Sequence, residues 1–336
     1  MPVVSLVRRA RTHASGPLLV LLASVLTASL VLAGTTMARS DEPAAPPVAD
    51  GPCSTPAPGI IGTSQRTMTF GGADRRYLVH VPASYDGSRP LPVVVLFHGL
   101  GRDPESMLRM TRMDQLADTE DAVVVAPQAL GNVPAWRFRE VDGRDGADLA
   151  FVDALLDDVR STTCTDESRT YAVGFSNGGA LTMALACRDD DRFAAYASVA
   201  GPYRTPECAQ APARPLIVFH GMKDKVVPLK GAAKTKIGRL PSAVLTAARW
   251  AQQNGCLPGA RTKLPGGVVH LAYTPCAGGA DVEAYFLGAG KHRWPGGDAP
   301  GATVDSPRTR PAKGDVDATQ LIWDFVRTHS IDQEKP

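Results

Sequence analysis

The sequence has almost no excess of charge of either sign. Its 336 residues include 36 Lys and Arg against 34 Asp and Glu, which gives a formal net charge of +2. Because nucleic-acid-binding proteins carry a strongly basic surface, this balance argues against a polyanionic partner such as a nucleic acid. The 44% of hydrophobic residues exclude intrinsic disorder, and no heptad repeat supports a coiled coil.

Motifs for common cofactors are also missing. No two cysteines are spaced as C-x-x-C, which argues against a zinc site and against thioredoxin-like chemistry. No G-x-G-x-x-G follows a strand pattern and no Walker lysine occurs, so nucleotide binding has no support. The stretch Asp142–Asp148 looks like a calcium loop, but Arg144 and Gly146 stand where two ligands belong. We therefore expect no cofactor and no metal.

The hydrophobic run at the N-terminus is too short to be a permanent membrane span. Leu18–Ala33 covers 16 residues, whereas a transmembrane helix needs about 20. The positively charged segment Arg8–Arg11 precedes this run, and Thr36–Ala38 offers small residues to a signal peptidase. We predict a signal peptide at residues 1–38 and a secreted protein. An uncleaved signal-anchor is the alternative, and the choice between Sec and twin-arginine export stays open.

All six cysteines lie beyond the predicted signal peptide. An even number in an exported chain favours disulfide bonds, and six cysteines allow 15 pairings. We choose two local pairs, Cys187 with Cys208 and Cys256 with Cys276, which leaves Cys53 for Cys164, although the sequence does not decide the connectivity. Residues 39–60 are rich in Pro and Ala and are predicted to form a linker, followed by a single catalytic domain at 61–336.

Beyond the linker, apolar runs alternate with helical periodicity. Runs such as Val93–Phe97 contain no polar residue, as expected for strands covered on both faces. The alternation predicts an α/β fold with a doubly wound, mostly parallel sheet, whose functional sites lie at the carboxyl ends of the strands. The predicted strands are Arg76–Val81, Pro92–Phe97, Ala122–Ala126, Thr170–Gly174, Phe193–Val199, Pro215–Phe219 and Val282–Leu287. The predicted helices are Pro104–Asp118, Asp148–Ser161, Asn177–Arg188, Ser242–Asn254 and Ala318–His329.

A G-x-S-x-G motif at Gly174–Gly178 lies between an apolar strand and a predicted helix. A tight strand-to-helix turn of this kind presents a nucleophilic serine, here Ser176, and its glycines remove Cβ atoms that would clash. The N-terminus of the following helix offers free N–H groups to an oxyanion. The bare motif also arises by chance, so the strand before it and the helix after it are what make Ser176 the candidate nucleophile.

A serine nucleophile needs an acid and a base, which follow such a turn in the order Asp or Glu, then His. Asp224 lies in the loop after the sixth predicted strand, and His292 follows the seventh across a glycine-rich turn. In contrast, His270 lies inside an alternating strand pattern and His329 lies in the last predicted helix. We therefore predict Asp224 as the acid and His292 as the base. The fallback acids are Asp281 and Asp298.

Acyl transfer also needs backbone donors that stabilise the oxyanion. One is expected from the residue after the nucleophile, Asn177. The second is expected from the loop after an early strand, which contains Leu100. We therefore assign the oxyanion hole to the N–H groups of Leu100 and Asn177. His98 precedes Ser176 in the chain and is expected to be structural.

Four stretches carry a resemblance to a known family; they are Val95–Gly99, Val173–Gly179, Phe219–Pro228 and His292–Gly296. They resemble the secreted polyhydroxybutyrate depolymerases and feruloyl esterases of the α/β-hydrolase superfamily, over about residues 60–330. The resemblance implies an α/β-hydrolase fold and a secreted serine esterase that uses the three predicted residues as its triad. Lys291 is a departure, because it stands where the family usually has a glycine run.

Substrate preference is the property that the sequence determines least. The aromatic side chains of Trp136, Phe175 and Trp294 are expected to line the cleft and to suit an aryl acyl group or a flat sugar face. The resemblance allows hydroxycinnamoyl, acetyl and hydroxyalkanoate esters. Because no segment is left for a polymer-binding module, we expect soluble or short-chain esters to be preferred over crystalline polymer. We also expect a monomer. The other hypothesis, a binding protein with an inactive site, is disfavoured because all three triad residues are present.

Overall fold

The computed structural model describes Cys53 and residues 61–138, 146–188, 190–202, 207–235, 239–298 and 316–331. The predicted signal peptide and the predicted linker, apart from Cys53, lie outside these residues. No helix in the described part of the chain is both long enough and apolar enough to cross a membrane.

The described residues contain ten strands, numbered along the chain as β1 (Gly62–Phe70), β2 (Ala73–Val81), β3 (Leu91–Phe97), β4 (Val123–Pro127), β5 (Thr165–Phe175), β6 (Ala195–Val199), β7 (Leu216–Gly221), β8 (Ala260–Leu264), β9 (Val268–Tyr273) and β10 (Val282–Leu287). They form one sheet in the order β1-β2-β4-β3-β5-β6-β7-β10-β9-β8. The six central strands, from β4 to β10 in this order, are parallel. Antiparallel strands extend both edges.

The predicted α/β architecture with a mostly parallel sheet is confirmed, and the seven predicted strands correspond to β2–β7 and β10. The two edge strands, β1 and β8, are absent from the predicted strands, and β9 is anticipated only by the alternating strand pattern around His270. β1 alternates half-buried and exposed residues along its length, and four of the five residues of β8 are exposed. Neither strand has a continuous apolar run, because an edge strand does not need apolar side chains on both faces.

The described helices are α1 (Pro104–Thr111), α2 (Met113–Glu120), α3 (Ala147–Thr162), α4 (Asn177–Ala186), α5 (Ala243–Gln253) and α6 (Ala318–Val326). The prediction of one helix over Pro104–Asp118 is wrong, because Arg112 separates α1 from α2 with a left-handed φ of 57°. The Arg112 guanidinium donates to the Gly296 carbonyl (2.8 Å) and pairs with Asp317 (3.1 Å). These two contacts fix the break.

Helices cover both faces of the sheet, and the central strands supply side chains to two cores. In β3, Val93, Val95 and Phe97 belong to the core under α3, α4 and α5, whereas Val94 and Leu96 belong to the core under α1, α2 and α6. Because successive side chains of a strand point to opposite faces, one apolar run fills both cores.

All six cysteines form disulfide bonds, and they join the predicted pairs: Cys53–Cys164, Cys187–Cys208 and Cys256–Cys276. The first bond connects a residue of the predicted linker to Cys164, which is buried between α3 and β5. The predicted linker is therefore tied covalently to the domain at this point.

Candidate active site

Ser176 lies on the turn between β5 and α4, at the carboxyl edge of the parallel strands. Its φ of 54° lies in the left-handed region, which costs a non-glycine residue about 1–3 kcal/mol. The Ser176 N–H donates to the Val199 carbonyl (2.8 Å), and the Ser176 carbonyl accepts from the Ala180 N–H (2.9 Å). These bonds to β6 and α4 hold the strained turn.

The two glycines of the motif allow backbone segments to approach each other closely. A Cβ at Gly174 would lie 2.2 Å from the Gly178 carbonyl oxygen, and a Cβ at Gly178 would lie 2.1 Å from the Phe97 carbonyl oxygen. Both distances are too short for any side chain, and backbone atoms cannot move aside cheaply. The glycines therefore let the N-terminus of α4 pack directly on the ends of β5 and β3.

The structure brings Ser176, His292 and Asp224 together, although 116 positions separate the serine from the histidine. His292 Nε2 lies 2.9 Å from Ser176 Oγ, and His292 Nδ1 lies 2.7 Å from Asp224 Oδ2. Ser176 follows β5, Asp224 follows β7 and His292 follows β10, so three parallel strands place the three side chains at one edge of the sheet.

The Asp224 side chain is fully buried, yet both of its oxygens have partners. Oδ1 accepts the N–H groups of Val226 and Val227, each at 2.8 Å, and Oδ2 faces His292. Burial alone would raise the pKa of this carboxyl, but the bonds from His292 and the two amides outweigh burial and lower the pKa below its ordinary value. Asp224 is therefore ionised at neutral pH.

The fallback acids are engaged elsewhere. Asp281 accepts from the Thr274 hydroxyl (2.7 Å) and from the Cys276 N–H (3.1 Å). Asp298 lies 3.6 Å from the buried Arg109 guanidinium.

The predicted oxyanion donors both line the cavity that contains Ser176. Asn177 is the first residue of α4, and its N–H has no partner within the helix because no carbonyl precedes it by four helical positions. The Asn177 side-chain oxygen accepts the Trp136 N–H (2.7 Å), which ties the start of α4 to the loop that carries Trp136. The Gly101 N–H donates to the Pro134 carbonyl (2.8 Å) and fixes the loop that carries Leu100.

The cavity beside Ser176 has a volume of about 770 Å³, which suits a small organic ligand. Trp136, Phe138 and Phe175 supply aromatic walls, and the Phe175 ring lies 5.1 Å from the His292 ring, centroid to centroid. No group of three or more His, Cys, Asp or Glu side chains among the described residues is arranged to hold a metal ion. The arrangement places a serine hydroxyl, an imidazole and a carboxylate in one hydrogen-bonded chain at the wall of an aromatic cavity.

Comparison with known proteins assigns the family. The family model described as "Putative esterase" matches residues 69–256, which is more than half of the chain. The chain belongs to this esterase family. It is a carboxylic ester hydrolase, which confirms the enzyme class predicted from the sequence.

Relatives and solved structures agree with this assignment. The esterase is 28% identical over 308 residues to "Putative esterase NocK" of Nocardia uniformis subsp. tsuyamanensis, an alignment that covers 80% of this chain and 89% of that one. It is 26% identical over 276 residues to feruloyl esterase D of Neurospora crassa, covering 77% and 83% of the two chains. A solved acetyl xylan esterase from Aspergillus awamori shares the α/β-hydrolase fold, with a TM-score of 0.52 and 14% identity over 68% of this chain and 94% of that one.

The expectation that Trp294 lines the cleft of the esterase is wrong. Its side chain is 1% exposed and belongs to the core under α6. The indole N–H donates to Thr319 Oγ1 (2.9 Å), and the Thr319 hydroxyl donates in turn to the Thr111 carbonyl (2.5 Å). An indole with its N–H satisfied is more stable in the core than at an open wall. Trp136 and Phe175 do line the cavity.

Sequence reasoning assigned no role to His220, which lies behind the acid. His220 Nε2 donates to the Val227 carbonyl (2.8 Å) and lies 3.8 Å from Asp224 Oδ2. Burial lowers the pKa of His220, against the influence of the Val227 carbonyl and the Asp224 charge. A neutral His220 therefore closes the loop that presents Asp224. Its place at the end of β7, four residues before Asp224, is the only sequence signal that pointed to it.

His98 has the structural position expected of it. Its Nδ1 donates to the Gly99 carbonyl (2.7 Å), and its Nε2 accepts the Ala129 N–H (3.0 Å). Burial lowers the pKa of His98 and keeps the ring neutral, as these two bonds require. The Trp136 indole donates to the His98 carbonyl (2.8 Å), so the same residue also anchors the aromatic wall.

A buried ion pair holds the aromatic wall of the esterase from behind, and sequence analysis missed it. Asp148 Oδ1 lies 2.7 Å from the Arg75 guanidinium, and Asp148 Oδ2 accepts the Arg137 N–H (2.6 Å). The Arg75 guanidinium also stacks 3.5 Å from the centre of the Phe151 ring. No local pattern links Arg75 to Asp148, because 73 positions separate them.

Proposed function

We propose that the esterase uses Ser176, His292 and Asp224 as a catalytic triad and passes through an acyl-enzyme intermediate. The observation that carries this proposal is the unbroken hydrogen-bond chain from Ser176 Oγ through both nitrogens of His292 to the buried Asp224 carboxylate. Nucleophile, base and orienting acid lie within hydrogen-bond reach of one another, as this mechanism needs.

The reaction proceeds in two halves. His292 Nε2 takes the Ser176 hydroxyl proton while Oγ attacks the ester carbonyl carbon, and Asp224 stabilises the imidazolium. The N–H groups of Leu100 and Asn177 stabilise the oxyanion. The carbon–oxygen ester bond then breaks, and the alcohol leaves with the proton from His292 while the acyl group stays on Ser176. Water, activated by the same histidine, releases the acid and restores the serine.

For the substrate, we favour soluble or short-chain esters, with hydroxycinnamoyl esters and hydroxybutyrate oligomers as the leading candidates. Support comes from the aromatic walls of the cavity and from the feruloyl esterase among the relatives. A panel tests this preference: 4-nitrophenyl acetate and butyrate, methyl ferulate, acetylated xylan, and amorphous and crystalline polyhydroxybutyrate. Clearing of the crystalline polymer at a rate comparable to hydrolysis of the soluble esters would contradict it.

The triad is tested by two variants and a covalent probe. Ser176→Ala and His292→Ala should each lower kcat on 4-nitrophenyl butyrate by about 10³-fold or more, because each removes a group that acts in the transition state. A fluorophosphonate should label the wild-type protein at Ser176, with the adduct located by peptide mass spectrometry, and should not label Ser176→Ala. Retention of most activity in either variant, with an unchanged melting temperature, would refute the assignment.

We also propose that the esterase is exported. The support is the signal-peptide pattern of residues 1–38 together with three disulfide bonds, which persist in oxidising compartments. Expression of the full chain, followed by mass spectrometry of the mature N-terminus in the culture medium, tests this. A protein that stays in the cytosol with free thiols would contradict it, and a membrane fraction with an intact N-terminus would favour the signal-anchor.

A further inference from the structure

Two arginines, Arg102 and Arg137, line the cavity that contains Ser176, and no carboxylate of the described residues lines it with them. Both side chains are exposed, and neither forms an ion pair with another described residue. Elsewhere on the surface, arginines such as Arg76 and Arg188 pair with carboxylates. The wall of the cavity therefore carries two positive charges that no carboxylate of the described residues pairs with.

Two described carboxylates near these arginines, Asp103 and Asp148, are engaged elsewhere. Asp103 follows Arg102 directly, but its side chain accepts the Ser106 N–H (2.7 Å) and caps α1. Asp148 accepts the backbone N–H of Arg137, and its other oxygen pairs with the buried Arg75. Neither carboxylate is available to the guanidinium groups at the cavity.

The backbones of both arginines are fixed, whereas their guanidinium groups have no ion-pair partner within the described ranges. The Arg102 N–H donates to the Gly99 carbonyl (3.1 Å), and the Arg102 carbonyl accepts from the Gln128 side chain (3.2 Å). The Arg137 N–H is held by Asp148 at 2.6 Å. The planar fork of a guanidinium matches the two oxygens of a carboxylate, and because the fork is rigid, less rotamer entropy is lost for each hydrogen bond that forms.

We propose that the ester hydrolysed at this site carries a carboxylate, which Arg102 and Arg137 bind while the ester carbonyl lies against Ser176. This inference rests on the proposed function, because it takes Ser176 as the nucleophile. It selects among the candidate substrates: hydroxyalkanoate oligomers with a free carboxylate are favoured over neutral methyl esters and over acetyl groups on a neutral polysaccharide.

Two matched pairs of esters test the inference, one for each side of the scissile bond. On the acyl side, mono-4-nitrophenyl glutarate is compared with the 4-nitrophenyl ester of glutaramic acid, in which a neutral amide replaces the carboxylate. On the alcohol side, the 3-hydroxybutyrate dimer is compared with its methyl ester. In at least one pair, the anionic ester should have the higher kcat/KM by about 5-fold or more at low ionic strength, and added salt should reduce the ratio.

The double variant Arg102→Gln/Arg137→Gln should remove this preference, mainly through KM. Arg261→Gln is the matched control, because it removes the same charge from the exposed strand β8 and should keep the preference. Equal kcat/KM values within both pairs, or a preference that survives in the double variant, would overturn the inference. Hydrolysis of the neutral esters that disappears in Ser176→Ala would still support the triad, so the two failures are distinguishable.

Discussion

The two sides of His292 are built differently. On the acid side, the Asp224 side chain is fully buried, and its oxygens accept two amides and the imidazole. On the substrate side, Arg102 and Arg137 are anchored through their backbones, and their side chains reach an open cavity. The acid side resembles a protein core in its complete hydrogen bonding, whereas the two arginines of the substrate side have no ion-pair partner in the part of the chain that the structure describes.

The difference indicates how one fold can serve many esters. A buried carboxylate that loses one partner becomes costly, so the acid side tolerates few substitutions. An exposed side chain on a fixed backbone can be replaced with little effect on its neighbours, so the substrate side can vary. Substitutions on the acid side should therefore change the chemistry of the reaction, and substitutions on the substrate side should change its selectivity.

The largest expected effect comes from neutralising the acid. Asp224→Asn keeps the size of the side chain but removes the charge that stabilises the imidazolium and fixes its tautomer. We expect kcat on 4-nitrophenyl butyrate to fall by about 10³-fold or more. Steady-state kinetics measures this, with thermal unfolding to show that the variant is folded.

A matched control for Asp224→Asn is Asp157→Asn, which removes one carboxylate from an exposed position on α3. Its kcat should stay within about 2-fold of the wild-type value, as for most surface substitutions. If Asp224→Asn kept more than a tenth of the wild-type kcat, another group would have to orient His292.

A smaller effect on catalysis is expected from breaking the buried Arg75–Asp148 ion pair, which lies behind the aromatic wall of the cavity. Asp148→Ala leaves Arg75 buried without its partner, since the two side chains are only 5% and 2% exposed. Breaking a buried pair in this way should lower the free energy of unfolding by about 3–5 kcal/mol. Because Asp148 also holds the Arg137 N–H, KM should rise more than kcat falls. Urea unfolding and steady-state kinetics measure the two effects.

The comparison for Asp148→Ala is Asp157→Ala. Asp157 pairs with Arg192 at 2.9 Å, but its side chain is 60% exposed, so the loss should be below about 1 kcal/mol. Equal destabilisation by the two substitutions would show that the Arg75–Asp148 pair does not support the wall.

The sequence revealed the parts of the site that have a local signature. Ser176 lies in a strand-turn-helix pattern of a few residues, and Asp224 and His292 each follow an apolar strand in the order that the chemistry requires. Parallel strands end at one edge of the sheet, so chain order was enough to predict that these side chains lie near one another.

The sequence did not reveal features that depend on which way a loop residue faces or on distant partners. Trp294 is two residues from His292, yet it points into the core, and no periodicity exists in a loop to indicate this. The break at Arg112 depends on contacts with Gly296 and Asp317, which lie 184 and 205 positions away. Propensity alone therefore favoured one continuous helix.

The smallest expected effect concerns the pH dependence of stability on the acid side. Burial lowers the pKa of His220, so the unfolded chain binds a proton there at pH values where the folded protein does not. The stabilising contribution of neutral His220 is complete above the ordinary histidine pKa of about 6.5 and decreases as the pH falls below it.

His220→Gln keeps a donor for the Val227 carbonyl but cannot titrate in this range. We expect this variant to be about 1–2 kcal/mol less stable than the wild type at pH 8, and the deficit to shrink towards pH 5. Urea unfolding of both proteins across this range measures the difference between them. The contributions of His98 and His329, whose pKa values burial also lowers, cancel because both proteins contain them. A deficit that stays constant or grows as the pH falls would show that His220 is not held in its neutral form by the fold.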